Sequence, residues 1–481
     1  MSPSVEPFNE AKYKALMDGL ECSERLLSSL EEGIRIDAEL YQKKYVVLED
    51  FAETHETTTF IREANLVKKG IFDISASCYS SFGIPFVRIS NIKNMLLSKS
   101  DLVFIPESEN EKNQDTQLSR GDIILSKTGS PAASYVNFDI CNVSQDTVAI
   151  KLKNPSQLFS EYVVVYLNTV YGLVQMEKRF TGNIQKHLNL DDCKKKLIIP
   201  VFSIQFQRRI KELFLSAAEG VEQADCLYNE TIKDIAQLLC YCEVSNSESI
   251  SIISLNKSFK ETGRLDAEYY QPKYDEYLSL IANYKNGYSI IKDEFLPIRE
   301  ICDRSLGEYQ YVEIGDVDIG TGSASYNTIE TDDLPDNAKI ITKKNDVLVS
   351  TVRPNRGAVA ILEDNDLLVS GAFTVLRERG TYKKEVLQVL LRLPLYRDWL
   401  LRYNAGTSYP VIKDDDVLNM PIPLFEDAVQ KEITVKVQES FALRRQSKQL
   451  LEYAKQAVEM AIEQGEDTAL EWLKDKCNEE V

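Results

Sequence analysis

Two sets of polar and basic side chains stand out as able to grip an anionic, hydrogen-bonding ligand. One set is Arg353, Asn355 and Arg356 in STVRPNRGA, together with Asn404, Thr407, Ser408 and Tyr409 in YNAGTSYP. The other is Lys127, Thr128 and Ser130 in SKTGSPA, together with Asn183, Gln185, Lys186 and His187 in TGNIQKHL. An arginine fork bonds two acceptors at once, Asn and Gln present a donor beside an acceptor, and Lys or Ser fixes single oxygens of a phosphate. Taken singly, each residue could equally be solvated or stabilise a turn, and His187 could be bonded locally. Arg353 and Arg356 could instead pair with Glu363 or Asp364.

Covalent chemistry finds less support. The chain has two histidines, His55 and His187, so neither a His-rich metal site nor a His-based triad is readily assembled. There is no GxxxxGK[ST] phosphate loop, no GxGxxG opening a helix, and no Asn-Pro-Pro-Tyr-type segment. The Gly-rich run GDVDIGTGSAS (315–325) lacks a helical pattern after it and reads as a turn. Asp414, Asp415 and Asp416 are consecutive and so point different ways; they read as a charged helix start or a solvated loop. No catalytic, cofactor or metal residue is assigned.

The frame that must position these side chains is large. At 481 residues, 43% hydrophobic and 27% charged, the chain suggests two to four globular domains. No run approaches 18 apolar residues, and MSPSVEPFNEAKYK does not read as a secretory signal. Nine scattered cysteines (Cys22, Cys78, Cys141, Cys193, Cys226, Cys240, Cys242, Cys302 and Cys477) form no CxxC pair. They are expected to be reduced thiols in a cytoplasmic protein.

Self-similarity organises the rest. IDAELYQKKY (36–45) matches LDAEYYQPKY (265–274) at seven of ten positions. FVRISNI (86–92) faces YVEIGDV (311–317), RGDIILSKTG (120–129) faces KNDVLVSTVR (344–353), and LIIPVFSIQFQRRI (197–210) faces MPIPLFEDAVQKEI (420–433). The four matches keep their order, which indicates a tandem duplication with a domain-sized period. Each half carries short Val-, Ile-, Tyr- and Phe-rich runs broken by Gly, Asn and Asp, the pattern of an irregular β unit. A helical segment follows (160–180 or 384–403), then a Gly-containing loop and a Pro-marked strand end. A long amphipathic helix leaves each half, over 203–242 and 427–464, with apolar residues three and four apart. Two such helices at matching places suit an antiparallel pair that spaces the units. A further helix is expected at about 9–32, with Asn9 as its cap.

These residues resemble the specificity (S) subunit of type I restriction–modification systems. The resemblance runs from NEAKYKALMDGLE to the C-terminal helix, through the LDAEYY segment, GDVLVSTVRPNRGAVAI and LRYNAGTSYPVIKDDDVLNMPIPL. It implies an α+β fold: a tandem duplication of an irregular β-rich target-recognition domain followed by a long helix, the two long helices forming an antiparallel coiled-coil spacer. The expected division is a 1–45 N-terminal helical segment, a first recognition domain at 46–202, a central helical region at 203–280, a second recognition domain at 281–425 and a C-terminal helical region at 426–481. The resemblance further implies a non-catalytic subunit that reads a bipartite double-stranded DNA site and docks two modification (methyltransferase) subunits, with translocating restriction subunits as further partners. S-adenosylmethionine, ATP and Mg would act on those partners and not on this chain. The two polar sets named above would be the DNA-binding loops.

Charge tempers this picture. The formal net charge is −19. Residues 46–202 hold 17 basic and 18 acidic side chains and residues 281–425 hold 17 and 22, so most of the excess lies in the helical segments. Affinity for DNA rises with phosphates neutralised, so the isolated chain is expected to bind weakly. The alternative is a protein–protein adaptor or decoy of the same duplicated fold without base readout.

Overall fold

The computed structural model describes residues 9–20, 41–45, 51, 54–93, 95–154, 156–181, 186–241, 250–406 and 408–478. The chain is a mixed α+β structure of small sheets and long helices. It packs into two units, one of residues 1–219 with 447–481 and one of residues 220–446. The units therefore share out both long helices, because each half-helix buries its apolar stripe against the nearer β-rich body.

In the first unit the run DIILS is apolar on both sides, as a strand covered on both faces must be. It forms β5 (Ile123–Ser126), inside an antiparallel sheet with β2 (Ala64–Lys69), β6 (Ala133–Tyr135) and β8 (Thr147–Leu152), in the order β2-β8-β5-β6. Ile123 and Leu125 face one core with Tyr162, Tyr166, Phe206 and Phe214, while Ile124 faces a second with Val87, Val143 and Ala149. A smaller sheet joins β3 (Ile84–Val87) to β4 (Val103–Ile105) and, in parallel, to β7 (Asn142–Val143). The unit closes where β1 (Thr57–Thr59) meets β11 (Ile198–Pro200), and a short pair joins β9 (Phe180–Thr181) to β10 (His187–Leu188).

The second unit repeats the plan. β12 (Tyr288–Ile290) pairs with β21 (Pro421–Pro423). β13 (Phe295–Ile298), β17 (Val347–Ser350), β18 (Val359–Ile361) and β20 (Phe373–Glu378) form a sheet in the order β13-β20-β17-β18. β14 (Glu308–Val312) pairs antiparallel with β15 (Asn327–Glu330) and parallel with β19 (Leu368–Ser370), which also carries β16 (Ala338–Ile341). Val347 and Val349 turn toward the helices and Leu348 toward the opposite core, as their counterparts do in the first unit. The sheets β2-β8-β5-β6 and β13-β20-β17-β18 thus follow one strand order, while the smaller sheet has an additional strand, β16, in the second unit.

Helix limits differ from expectation in four places. The N-terminal helix α1 spans Glu10–Met17, with Asn9 Oδ1 accepting from Lys12 N at 3.0 Å. It stops there because Gly19 takes a left-handed φ of 75°; residues 21–32 lie outside the described residues. The single helix expected at 160–180 is two, α2 (Ser160–Leu167) and α3 (Val170–Arg179), because Thr169 caps a new start by accepting from Gly172 N. Helix α4 (Ile204–Leu238) ends short of 242, where Cys240 turns left-handed at φ 50°. In the second half Pro394 breaks the helix expected at 384–403 into α5 (Lys384–Arg392), α6 (Pro394–Trp399) and a tight turn over Leu400–Tyr403. Helix α7 (Asp427–Gln464) has its expected limits, and Gly465 at φ 94° separates it from α8 (Glu466–Asn478).

Within the second unit α4 and α7 run antiparallel. Ser440 Oγ donates to Ala224 O at 2.8 Å, Arg444 pairs with Asp225 at 2.7 Å, and Lys436 pairs with Asp234 at 2.7 Å. In the first unit Ala454, Ala457, Val458 and Ala461 of α7 share a core with Phe206, Ile210 and Phe214 of α4, small side chains leaving room for rings. Each long helix is also tied to its own β unit by a buried glutamine near its start. Gln207 accepts from Phe159 N (3.1 Å) and donates to Phe202 O (2.9 Å); Gln430 accepts from Lys383 N (2.9 Å) and donates to Phe425 O (3.1 Å).

Candidate nucleic-acid interface

The second polar set is built where β17 runs out. Ser350 Oγ turns back to accept from Val352 N and donate to Val352 O. Arg353 adopts a left-handed φ of 51°, which starts the short turn Pro354–Arg356, and Gly357 at φ 76° ends it. Arg353 N donates to Pro410 O at 2.7 Å, Ile412 N donates to Thr351 O at 2.9 Å, and Val352 bridges Val411. The two expected loops are therefore one surface joined by backbone hydrogen bonds. Arg353 lies over the Tyr409 ring, 5.4 Å from its centroid, and both Arg353 and Arg356 are exposed. Among the described residues neither guanidinium has a carboxylate partner; Glu363 pairs with Arg445 instead.

Several members of the set hold the loop itself. Asn404 Oδ1 accepts from Gly406 N (2.8 Å) and Val411 N (3.0 Å), the turn-stabilising role. The Asn355 carbonyl oxygen accepts from Arg397 Nε at 2.8 Å, while Asn355 Oδ1 is buried without a partner among the described residues. Ser408 is exposed, and Thr407 lies outside the described residues.

The first unit presents the same arrangement with other side chains. Ser126 Oγ accepts from Ala132 N and donates to Ser130 O, both at 2.8 Å, pinning the hairpin that carries Lys127 to Ser130. Leu188 N donates to Lys127 O at 2.8 Å, and Thr128 bridges His187. These are the positions that Val352 and Val411 hold in the other unit. Thr128 is buried, so its role is in the bridge; Ser130 and Lys186 are exposed. His187 is half-buried, with Nδ1 unpartnered among the described residues. Asn183 and Gln185 lie outside the described residues. Burial, together with the neighbouring Lys69 charge, holds the Lys127 ammonium below the usual lysine range, against an opposing pull from Asp146.

Lys69 and Phe72 were not singled out by the sequence reading. Lys69 ends β2 and sits over the ring of exposed Phe72, 4.7 Å from its centroid. Register brings them there: Lys69 faces Val148, which faces Leu125, two residues before Lys127. A basic–Gly–aromatic strand end was visible in VKKGIF, but its neighbours across the sheet were not.

The remaining features take structural places. Asp416 Oδ2 accepts from Lys413 N and Asp414 Oδ1 from Thr374 Oγ1, so the aspartate run starts a helix over Asp414–Leu418. In the Gly-rich run, Asp318 Oδ1 accepts from Gly320 N and Thr321 N, which makes it a turn. Among the described residues no three His, Cys, Asp or Glu side chains gather as a metal ion would require, and no helix is long and apolar enough to cross a membrane.

No family model matches the sequence, and no curated protein matches it. Among solved structures the chain is similar to the type I restriction–modification S subunit from M. genitalium, with 12% identity, 87% of this chain and 96% of that chain covered, and a TM-score of 0.37. It is also similar to the HsdS subunit from Thermoanaerobacter tengcongensis, with 14% identity, 85% and 97% covered, and a TM-score of 0.29. A third likeness is to a chain from a structure addressing complex assembly and conformational transition of the type I system, with 14% identity, 83% and 97% covered, and a TM-score of 0.26.

Proposed function

We propose that the protein is a non-catalytic DNA-recognition subunit of a type I restriction–modification assembly, in which each β-rich unit reads one half of a split duplex site. The observation that carries this reading is the loop pair at one place in both units. Matching backbone bridges, Val352–Val411 in one unit and Thr128–His187 in the other, present Arg353, Arg356 and Tyr409 in the first case and Lys127, Ser130, Lys186 and His187 in the second. A shared scaffold with different polar side chains is what two readers of different half-sites require. Arg353 and Arg356, which pair with no carboxylate among the described residues, can each bond guanine O6 and N7, and the Tyr409 ring beneath Arg353 restrains the fork before it meets a base. Lys127 and Lys69 at the strand ends of the first unit suit phosphate oxygens. Methyl transfer, ATP hydrolysis and cleavage would belong to partner subunits docked on the helical regions.

The test is deletion of the chain in its host, with methylome sequencing, and pull-down of the full chain. Loss of one bipartite methylated motif, with a methyltransferase in the pull-down, supports the reading. A methyltransferase partner without any change in methylated sequence would establish the adaptor instead, which the acidity of the helices otherwise suits.

A further inference from the structure

The repeated LDAEYY segment lies more than a hundred residues before the second reading loop, yet it closes on that loop's base. Arg264 Nε and Nη2 hold the two oxygens of Asp266 at 2.8 and 2.7 Å. On its other side the same guanidinium donates to Asn404 O at 2.8 Å and reaches Tyr403 O at 3.5 Å. Tyr269 lies against two guanidiniums, those of Arg264 and Arg402, each 4.7 Å from its centroid, and Arg402 Nε donates to Tyr269 O at 3.1 Å. Tyr270 Oη donates to Arg264 O at 3.2 Å, which holds the segment's own turn.

We infer that residues 264–270 form a clasp that positions the 404–409 loop, and that Arg264 is a positioning residue for reading the second half-site. The inference rests on the DNA-recognition reading above. Arg264 has no spare donor pair to offer a base: its fork is taken by Asp266 and by the two carbonyls. The hydrogen bond to Asp266, first among its neighbours, keeps that carboxyl below the usual range and the guanidinium above its own, so the pair is charged throughout the physiological range. Its hold is on Asn404, whose side chain closes the loop onto Gly406 N and Val411 N. From there Pro410 O takes the Arg353 N–H and Tyr409 supports the Arg353 fork. A shift of the Asn404 carbonyl therefore moves the arginine that faces the base. Only a planar fork can grip a carboxylate on one edge and a carbonyl on the other.

The duplication supports a holding role and not a reading one. Arg35 and Asp37 occupy the matching positions in the first half, while the side chains of the two reading loops differ. What recurs in both halves is suited to holding, and what varies is suited to reading. Leu40 stands where the second half has Tyr269, and residues 35–40 of this first copy lie outside the described residues.

The test uses the chain assembled with its modification subunits, wild type and with Arg264→Ala or Arg264→Lys, in selection from a randomised duplex DNA library. The Arg353→Ala/Arg356→Ala variant marks which half-site belongs to the second unit. Arg264→Ala is expected to flatten base preferences in that half-site by at least tenfold and leave the other half-site unchanged, with the melting temperature near wild type. Arg264→Lys, which keeps the charge and one carbonyl bond but loses the fork, should give a smaller flattening of the same half, and carries the test should the alanine variant fail to fold. Unchanged preferences in both halves, or equal loss in both, would overturn the clasp. A wild-type assembly that selects no split motif overturns the DNA reading and the clasp with it.

Discussion

At the scale of single residues, the joined loops 353–356 and 404–409 set two exposed arginines apart from the polar residues around them. Asn404 is spent on closing its loop, and Thr128 of the first unit is buried in a backbone bridge. Arg353 and Arg356 have neither fate. A bidentate contact to guanine contributes ~1–3 kcal/mol of discrimination. Replacing both by alanine in the assembled complex should weaken binding to its own site at least tenfold, measured by titration of labelled duplex. The melting temperature should stay near wild type, since neither side chain holds a carboxylate among the described residues. Full-strength binding by a folded double variant would place the reading elsewhere. The same variant separates base readout from backbone attraction: affinity for unrelated duplexes should fall much less than affinity for the selected site.

At the scale of elements, the coupling of long helix to β unit depends on buried amides. Gln207 and Gln430 each join a carbonyl two residues past a strand to the N-cap backbone N–H of a neighbouring helix, and both are buried. Substituting Gln207→Leu leaves a buried donor and acceptor unpaired, at a cost of about 1–3 kcal/mol each. Urea unfolding should show that loss, and Gln430→Leu should show a similar one in the second unit. Just ahead of α7, Glu426 accepts from Lys285 at 2.6 Å and from Tyr284 at 2.9 Å. The Lys285 hydrogen bond, followed by a backbone N–H, brings its carboxyl from 4.5 down to about 2. A depressed carboxyl stabilises the fold above its unfolded value and loses that contribution as pH falls through the folded one. Wild type should therefore melt above Glu426→Gln at pH 7, and the gap should close between pH 4.5 and 2.

Much at this scale was legible in the sequence. DIILS and DVLVS showed as strands and Asn9 as a cap, whereas the break at Pro394 was passed over although the proline stood inside the helical pattern. The break at Thr169 was harder to see, because it depends on Gly172 packing where a Cβ would lie 2.4 Å from the Tyr166 carbonyl oxygen. Both loop pairs were legible as matched positions in a repeat. Their backbone bridges, the Lys69–Lys127 neighbourhood and the Arg264 clasp were not, since each joins segments far apart in the chain and no local period records such a contact.

At the scale of the whole molecule, the duplication and the two long helices make distance the testable quantity. The boundaries between the units fall inside α4, after Glu219, and inside α7, after Gln446. Inserting four helix-forming residues at both places adds ~6 Å of rise to each helix and about 40° of rotation. Inserting in both preserves the antiparallel register that Ser440, Arg444 and Lys436 make with α4 inside the second unit. B-DNA advances 3.4 Å per base pair and turns about 35° over that step, so the rise corresponds to nearly two base pairs and the rotation to about one. If the helices set the spacing of half-sites, the double insertion should lengthen the gap in the methylated motif by one or two base pairs while leaving both half-site sequences as they were. Methylome sequencing of cells carrying only the lengthened chain measures this directly. An active, correctly assembled variant with an unchanged gap removes the ruler role from these helices, and an altered half-site sequence would show that reading and spacing are not separable in this chain.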